Sequence, residues 1–293
     1  MDSRNLKRKI VNTVVDLFLG VVIAICAVAI FVNTNLGHSY IVRDNAQRVS
    51  QNLTVKKADK NKKTKTSYDA RKTKSISAQE LWRARKYPAQ PIGRMSVPAV
   101  NIHNPLFEGF GAQQQNLSYG VCTVLPNRKL GGQNNYLLAG HYMGSFGPSV
   151  LDNMHLMHTG DKVYITDMHK IYEYQSFAKA YNIKPTQVEI ENNQGKKRLL
   201  TMITCSDFNT QKYGFGQHRT VVQGLLTNVY PATQANLTRY ELTNKVVKSA
   251  ARASAQPKIT QAYQSLTLKE IEAGACVIWL IIMTWIIFRT WKN

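Results

Sequence analysis

The segment RLLTMITC, residues 198–205, is rich in apolar and β-branched residues and ends at a cysteine. Because the polar run Ser206-Asp-Phe-Asn209 follows, the pattern predicts a buried β-strand whose last side chain, Cys205, reaches solvent. An isolated free cysteine in such a run is usually an inert part of the core. The change from apolar strand to polar loop favours a reactive thiol instead.

Similar short runs occur on both sides of this segment, separated by Gly, Pro, Asn and Asp. They lie at residues 94–97, 136–139, 162–166, 170–175 and 220–223. Short strands with turn signals between them predict an all-β barrel or sandwich.

Two further chemical groups stand at the ends of such runs. His141 ends Tyr136-Leu-Leu-Ala-Gly-His141, and Arg219 opens Arg219-Thr-Val-Val-Gln-Gly224. A thiol is nucleophilic only as thiolate, and a nearby imidazolium or guanidinium favours that form. A guanidinium also stabilises the oxyanion that develops when a carbonyl is attacked. Alone, such a His is usually structural and such an Arg is usually solvated, but together with Cys205 they indicate an acyl-transfer site.

The chain has 293 residues and a formal net charge of +21, and the excess is unevenly distributed. Residues 33–90 hold 14 Lys or Arg against 4 Asp or Glu, whereas residues 95–224 hold 11 against 8. A nucleic-acid-binding tail is one interpretation of the Lys56–Lys65 run, but the apolar ends of the chain argue against it. We expect a solvated, disordered stalk, with contacts to anionic wall polymers or lipid headgroups as the alternative.

Both ends of the chain are apolar. Ile10–Val32 spans roughly 34 Å as a helix, enough to cross a bilayer core of about 30 Å. Ala273–Phe288 is shorter, and it is long enough to cross the bilayer if the flanking residues are included or if the bilayer thins locally. Basic residues precede the first run and follow the second, which predicts that both termini are cytoplasmic and the middle is extracellular. The alternative for the first run is a cleaved signal peptide, and the alternative for the second is a buried or interfacial helix.

These patterns divide the chain into seven parts. They are a basic cytoplasmic start (1–9), a membrane anchor (10–32), a basic polar stalk (33–90), a catalytic barrel (91–230), a polar linker (231–270), a second span (271–288) and a cytoplasmic tail (289–293).

The four cysteines form neither a disulfide framework nor a zinc pattern. Cys26 and Cys276 lie within the apolar runs, where they face lipid or pack between helices. Cys122 and Cys205 remain, and a bridge between them is an alternative that would silence the proposed nucleophile.

The combination resembles the sortases, the membrane-anchored cysteine transpeptidases of Gram-positive bacteria, and class A most. Thr201-Met-Ile-Thr-Cys205 is similar to the family's Thr-Leu-x-Thr-Cys motif, Leu138-Ala-Gly-His141 to its histidine motif and Arg219–Gly224 to its arginine strand. Pro91–Pro98, followed by Asn104–Gly109, is similar to the family's entry segment. Met202 replaces the usual Leu, a change that conserves volume.

The resemblance implies an eight-stranded β-barrel and assigns Cys205 as nucleophile, His141 as general acid/base and Arg219 as the residue that binds the oxyanion or positions the substrate. It implies substrates with a Leu-Pro-x-Thr-Gly (LPXTG) sorting signal, cleaved between Thr and Gly through a thioacyl intermediate. The amine of a peptidoglycan precursor would resolve that intermediate, so no cofactor is expected. Ala139, Thr204 and Phe215 are assigned to substrate binding, and Tyr213 to the groove wall.

Some class A sortases are activated by calcium. Here the loop before the histidine strand, Pro126–Gly132, offers cations rather than the hard oxygen ligands that calcium prefers. We therefore expect no metal site and no calcium activation.

Three alternative functions stay open at this level. A carboxyl-terminal span is more typical of the pilin-polymerising class C sortases, although residues 33–90 lack their Asp-Pro-aromatic lid motif. A cysteine peptidase would hydrolyse the same thioacyl intermediate. A non-catalytic envelope scaffold would use the barrel and its basic segment only for binding.

Overall fold

The protein is described by a computed structural model covering residues 3–144, 150–206, 216–243 and 266–292. The chain forms two compact units. One contains Met1–Gly37 and Leu266–Asn293, and the other contains His38–Ser265.

The larger unit is built around a closed β-barrel with the strand order β1-β2-β3-β4-β7-β8-β6-β5. The strands are β1 (Pro91–Val97), β2 (Ile102–Phe107), β3 (Val121–Thr123), β4 (Asn135–Ala139), β5 (Lys162–Thr166), β6 (Lys170–Ile183), β7 (Leu199–Cys205) and β8 (Arg219–Pro231). The prediction of an all-β, eight-stranded barrel is confirmed. Closure pairs every strand on both sides and so removes the exposed edges of an open sheet.

Strand direction determines which ends of the strands meet. β4 pairs in parallel with β7, and β7 pairs antiparallel with β8. The carboxyl ends of β4 and β7 and the amino end of β8 therefore lie at one rim of the barrel. This topology collects residues from three distant parts of the sequence.

The barrel interior is filled by aliphatic, methionine and tyrosine side chains from nearly every strand. Fully or almost fully buried members include Met95, Val97, Ile102, Leu106, Val121, Leu138, Val163, Ile165, Tyr174, Leu200, Met202 and Val222. In β7 the first four residues are buried and Cys205 at the end is partly exposed. A buried strand leading to an accessible thiol is the arrangement that the sequence predicts.

The basic segment before the barrel is folded, which differs from the solvated stalk expected from its composition. It contains α2 (Asn35–Gln51), α3 (Val55–Lys62) and α4 (Ala78–Ala84). Its scattered apolar residues are buried, namely Tyr40, Val42, Leu53, Ala58, Ile76 and Leu81. The interpretation as a disordered stalk is wrong because these few side chains are packed: Val42, Ile76 and Leu81 join the barrel core, and Leu53 and Ala58 pack with Met168, while the lysines face solvent.

Local capping explains where two of these helices begin. The hydroxyl of Thr54 accepts a hydrogen bond from Lys57 N, and that of Ser77 accepts one from Glu80 N. The composition of Ala78–Lys86, followed by Pro88, predicts a short helix. It is observed as α4, which ends before Pro88.

The buried guanidinium of Arg94 connects three parts of the larger unit. Arg94 on β1 donates to the carbonyls of Ser50, at 2.7 Å, and Leu242, at 2.8 Å. Near Leu242 lies α5 (Gln234–Arg239), whose Leu237 packs with Ile171. The composition of Thr238–Ala253 predicts a partly helical segment, and most of these residues lie outside the described ones.

The smaller unit consists of two apolar helices, α1 (Ser3–Val32) and α6 (Leu268–Lys292). Both are long and apolar enough to cross a membrane, judged by length and composition. Gly20 is buried against Met283, and the indole of Trp279 donates to the Gly20 carbonyl at 3.1 Å. Since a side chain at position 20 would collide with Met283, the glycine permits this close approach.

Candidate active site

Cys205 and Arg219 lie directly opposite each other on neighbouring strands. They are register partners in the antiparallel β7–β8 pair, and Arg219 Nη1 lies 3.6 Å from Cys205 Sγ. The same nitrogen donates to the carbonyls of Gly216, at 2.8 Å, and His218, at 3.1 Å. The backbone thus fixes the guanidinium beside the sulfur, where it can stabilise a thiolate.

His141 follows β4 on the other side of β7. Ala139 is in register with Ile203, and the pairing continues when Gly140 N donates to the Ile203 carbonyl at 3.2 Å. Extending this register by two residues brings His141 level with Cys205. The strand register therefore brings His141, Cys205 and Arg219 to the same rim of the barrel, on three neighbouring segments.

Thr204 joins the ends of β4 and β7. Its side chain is buried, and its hydroxyl donates to the Gly140 carbonyl at 2.8 Å. This bond ties the residue before Cys205 to the residue before His141. Thr204 is therefore placed to hold the two reacting side chains at a fixed spacing.

The backbone around His141 is held by residues 150–152, which belong to no motif recognised in the sequence. Leu151 N donates to the His141 carbonyl at 3.2 Å, and the buried carboxylate of Asp152 accepts from Met143 N. Gly140 lets this segment approach because a side chain there would collide with Val150 and Leu151. In the sequence, Asp152 is recognisable only as an acidic residue that follows a Gly- and Ser-rich stretch. Its hydrogen bond to Met143, two residues beyond His141, is revealed only by the structure.

Burial lowers the pKa of His141 from its usual value of 6.5 to about 4. The imidazole is only partly exposed, and loss of solvation disfavours its charged form. At neutral pH the resting His141 is therefore neutral, unlike the imidazolium anticipated from the sequence. The fixed positive charge beside the sulfur is supplied by Arg219.

Cys122 does not form the alternative disulfide, since the sulfurs of Cys122 and Cys205 are both thiols. Cys122 is fully buried, and burial raises the pKa of its thiol well above the usual value. It pairs with Ala139 across β3 and β4. A buried, protonated thiol is a packing group rather than a nucleophile.

The residues assigned to substrate binding are placed differently from one another. Ala139 is partly exposed at the end of β4 and packs against Phe107, Phe110, Leu117, Tyr119 and Cys122. Thr204 is buried beside it. Phe215, together with Tyr213, lies outside the described residues, so its assignment stays a prediction.

A family model for the sortase domain matches residues 95–227, which include all three candidate catalytic residues. Sortase A of Streptococcus agalactiae is 35% identical over 194 residues, which cover 64% of this chain and 77% of that protein. The chain belongs to the sortase family.

A second relative, also a sortase, gives the same assignment. Sortase A of Bacillus anthracis is 32% identical over 161 residues, covering 54% of this chain and 74% of that protein. Among solved structures, sortase A of Listeria monocytogenes has a TM-score of 0.45 and 26% identity, covering 51% of this chain and 96% of its own. Since sortases are cysteine transpeptidases, membership confirms the prediction of an acyl-transfer enzyme.

Proposed function

We propose that this sortase cleaves LPXTG-type sorting signals between Thr and Gly and joins the new carboxyl end to the amine of a cell-wall precursor. The observation that carries the proposal is the 3.6 Å approach of Arg219 Nη1 to Cys205 Sγ, with His141 two residues beyond the end of β4, the strand on the other side of β7. This set supplies a nucleophile, a proton carrier and a fixed cation at one accessible rim.

The neutral state of His141 suits the first step. The imidazole accepts the proton of the Cys205 thiol, and the sulfur attacks the Thr carbonyl carbon. Arg219 stabilises the negative charge that develops on the carbonyl oxygen. The imidazolium then protonates the Gly amine as the C–N bond breaks, leaving a thioester on Cys205.

The second step reverses these roles. Neutral His141 takes a proton from the incoming amine as the amine attacks the thioester carbonyl. The imidazolium then returns this proton to the departing Cys205 sulfur, which restores the thiol and neutral His141. Because the thioester conserves the energy of the cleaved peptide bond, the reaction needs no nucleotide. Ala139 and Thr204, with Phe215, are proposed to line the path of the sorting signal up to the thiol.

The two apolar helices support a membrane location. We propose that α1 and α6 both span the cell membrane, with the two termini in the cytoplasm and the barrel outside. The support is their length and composition, with basic residues at Arg8, Lys9, Arg289 and Lys292 on the ends assigned to the cytoplasm.

Trapping of the thioacyl enzyme tests the reaction. The full chain is mixed with a sorting-signal peptide, and intact-mass spectrometry is expected to show an adduct that peptide mapping locates on Cys205. Cys205→Ala abolishes the adduct, while the matched variant Cys122→Ala retains it. Labelling of Cys122, or no adduct with any LPXTG-type peptide, would contradict the proposal.

Product masses separate transfer from hydrolysis. With an amine acceptor present, the expected main product is the peptide joined to that amine. A product that carries only a free carboxylate at every acceptor concentration would instead identify a cysteine peptidase.

Pilin polymerisation is a second candidate function, favoured by the carboxyl-terminal apolar helix α6. It requires a lysine side chain of a pilin as the acceptor. Competition between a lysine-containing pilin peptide and a cell-wall-type amine distinguishes the two roles by which product dominates.

A further inference from the structure

One face of the first half of α1 is lined with polar residues, whereas the helix beyond Asp16 is apolar. Asn5, Arg8, Lys9, Asn12 and Asp16 recur at spacings of three or four residues and so share one face. Basic residues beside a span are common on the cytoplasmic side, but an ionisable residue within a span, such as Asp16, is rare and usually functional. The catalytic site in the other unit gives no reason for them.

This face meets the last turns of α6 because the two helices pack antiparallel. Lys9 Nζ donates to the Trp291 carbonyl at 2.9 Å, and the Trp291 indole donates to Thr13 Oγ1 at 2.9 Å. One turn further along, the Thr290 hydroxyl donates to Asp16 Oδ2 at 2.8 Å. Polar contacts thus fix the two helix ends side by side.

A cleft of about 560 Å³ lies between these two helix ends. Three cations line it, Arg8, Lys9 and Arg289, against the single carboxylate of Asp16. This lining has a formal charge of +2, and Asp16 is already occupied by the Thr290 hydroxyl. Cations gathered in one cleft repel each other unless an anion is bound among them.

The remaining wall of the cleft is amphipathic. Trp285 and Ile286 line it, and the guanidinium of Arg289 lies 5.7 Å from the centroid of the Trp285 ring. Tryptophan is enriched where a membrane meets water. A ligand that fits this wall combines a phosphate with an apolar part.

We propose that the cleft binds the phosphodiester headgroup of an anionic membrane phospholipid. The inference rests on the membrane location given under the proposed function. Arg8 and Arg289 provide planar donor pairs that match phosphate geometry, and Asn5 and Asn12 add amide donors. The acyl chains would follow the exposed apolar surfaces of α1 and α6. Basic pockets between membrane helices on the cytoplasmic side are suited to such lipids.

Retention of lipid by the full chain tests this site. The protein is reconstituted with phosphatidylglycerol and phosphatidylcholine, extracted in mild detergent and analysed by native mass spectrometry. Wild type is expected to retain phosphatidylglycerol selectively. The double variant Arg8→Gln, Arg289→Gln should reduce the retained phosphatidylglycerol at least 10-fold. The matched variant Lys7→Gln, Lys292→Gln removes the same charge outside the cleft lining and should change the retained amount less than 2-fold.

Two further measurements sharpen the result. Asp16→Asn raises the formal charge of the lining from +2 to +3 and is expected to increase the retained lipid. Inorganic phosphate in the extraction buffer should not displace the lipid, and displacement at millimolar concentration would identify a simple phosphate site instead.

Each contrary outcome has its own meaning. Equal losses in the two double variants, or no phosphatidylglycerol on a membrane-inserted wild type, would overturn the lipid site while leaving the enzyme proposal intact. A chain that does not float with vesicles would contradict the membrane location and the lipid site together. The thioacyl-trapping assay, run on the same variants, reports the catalytic proposal separately.

Discussion

Arg219 Nη1 lies 3.6 Å from Cys205 Sγ, and removal of this guanidinium has a predictable effect on the acylation rate. We expect Arg219→Ala to slow acylation by about 10²–10³-fold, as for loss of an oxyanion donor. Arg219→Lys should recover part of the rate because it keeps the charge but not the planar donor pair. Single-turnover measurements with a sorting peptide check this. Arg198→Ala, just before β7, serves as control, and an unchanged rate in Arg219→Ala would contradict the assigned role.

The lowered pKa of His141 predicts a pH dependence of stability. Its pKa is about 4 in the folded protein and 6.5 ordinarily, so the unfolded chain binds the proton more strongly. The stabilisation from a neutral His141 is complete above pH 6.5 and is lost as the pH falls towards 4. Between pH 6.5 and 5 the loss is at most about 2 kcal/mol.

Denaturant unfolding of the full chain in detergent at these two pH values measures this loss. His141→Gln does not titrate, so its free energy of unfolding should fall less than that of wild type over the same interval. His218→Gln is the matched histidine control and should behave as wild type does. If the free energy of unfolding changed equally with pH in wild type and His141→Gln, the lowered pKa of His141 would be refuted.

The sequence predicts the chemical types at the site better than their protonation states. A thiol, an imidazole and a guanidinium at strand ends indicate acyl transfer before any coordinates are known. The neutrality of His141 depends on burial, to which residues 150–152 contribute by packing against Gly140 and His141. The sequence around His141 contains no pattern that predicts this contact.

At the scale of strands, Thr204 and Thr201 offer a matched comparison along β7. Both are buried, and both hydroxyls donate to residues of the β4 segment, Thr204 to Gly140 at 2.8 Å and Thr201 to Asn135 at 2.7 Å. Thr204→Val and Thr201→Val should each lower the free energy of unfolding by about 1–3 kcal/mol. Only Thr204→Val should also slow acylation, by about 10-fold, because it alone lies between the two reacting side chains.

Thermal unfolding and acylation rates, measured on the same samples, separate these effects. Thr204→Ser keeps the hydroxyl and should restore most of the acylation rate. Equal rate losses in the two valine variants would show that Thr204 contributes only to general stability.

The loop before β4 predicts that calcium does not activate the enzyme. Arg128 in this loop donates to the Asn193 side chain, so a guanidinium–amide bond connects the loop to the segment before β7. Acylation rates of chelator-treated enzyme are expected to stay constant on addition of millimolar calcium. A reproducible rate increase would show that oxygen ligands from another segment gather there.

The positions of the strands can be predicted because each strand contains a local apolar run. The pairing of the strands cannot be predicted in this way, because it depends on contacts between distant parts of the chain. The parallel contact of β4 with β7 joins strands separated by β5 and β6 in the chain. The helices α2 and α3 of the basic segment were also missed. Their buried residues are few and widely spaced, and lysines dominate the composition between them.

At the scale of the whole molecule, the smaller unit makes its own structural prediction through Cys26 and Cys276. In the antiparallel pair Gly20 lies against Met283 and Thr13 bonds to Trp291. Continuing this alignment towards the other end brings Cys26 level with Cys276, and both thiols are free and exposed. We expect a short bifunctional thiol reagent to link them within one chain.

The measurement uses the full chain in membranes, in a Cys122→Ala, Cys205→Ala background that leaves only this pair of thiols. Proteolysis within residues 38–265 should leave the two terminal helices joined on a non-reducing gel. Gly20→Leu introduces a side chain where Met283 packs and should reduce the linkage strongly, whereas Gly274→Leu, with open space around it, should not. Linkage only between separate chains, seen as a doubled mass before proteolysis, would mean that α1 and α6 pair between molecules rather than within one.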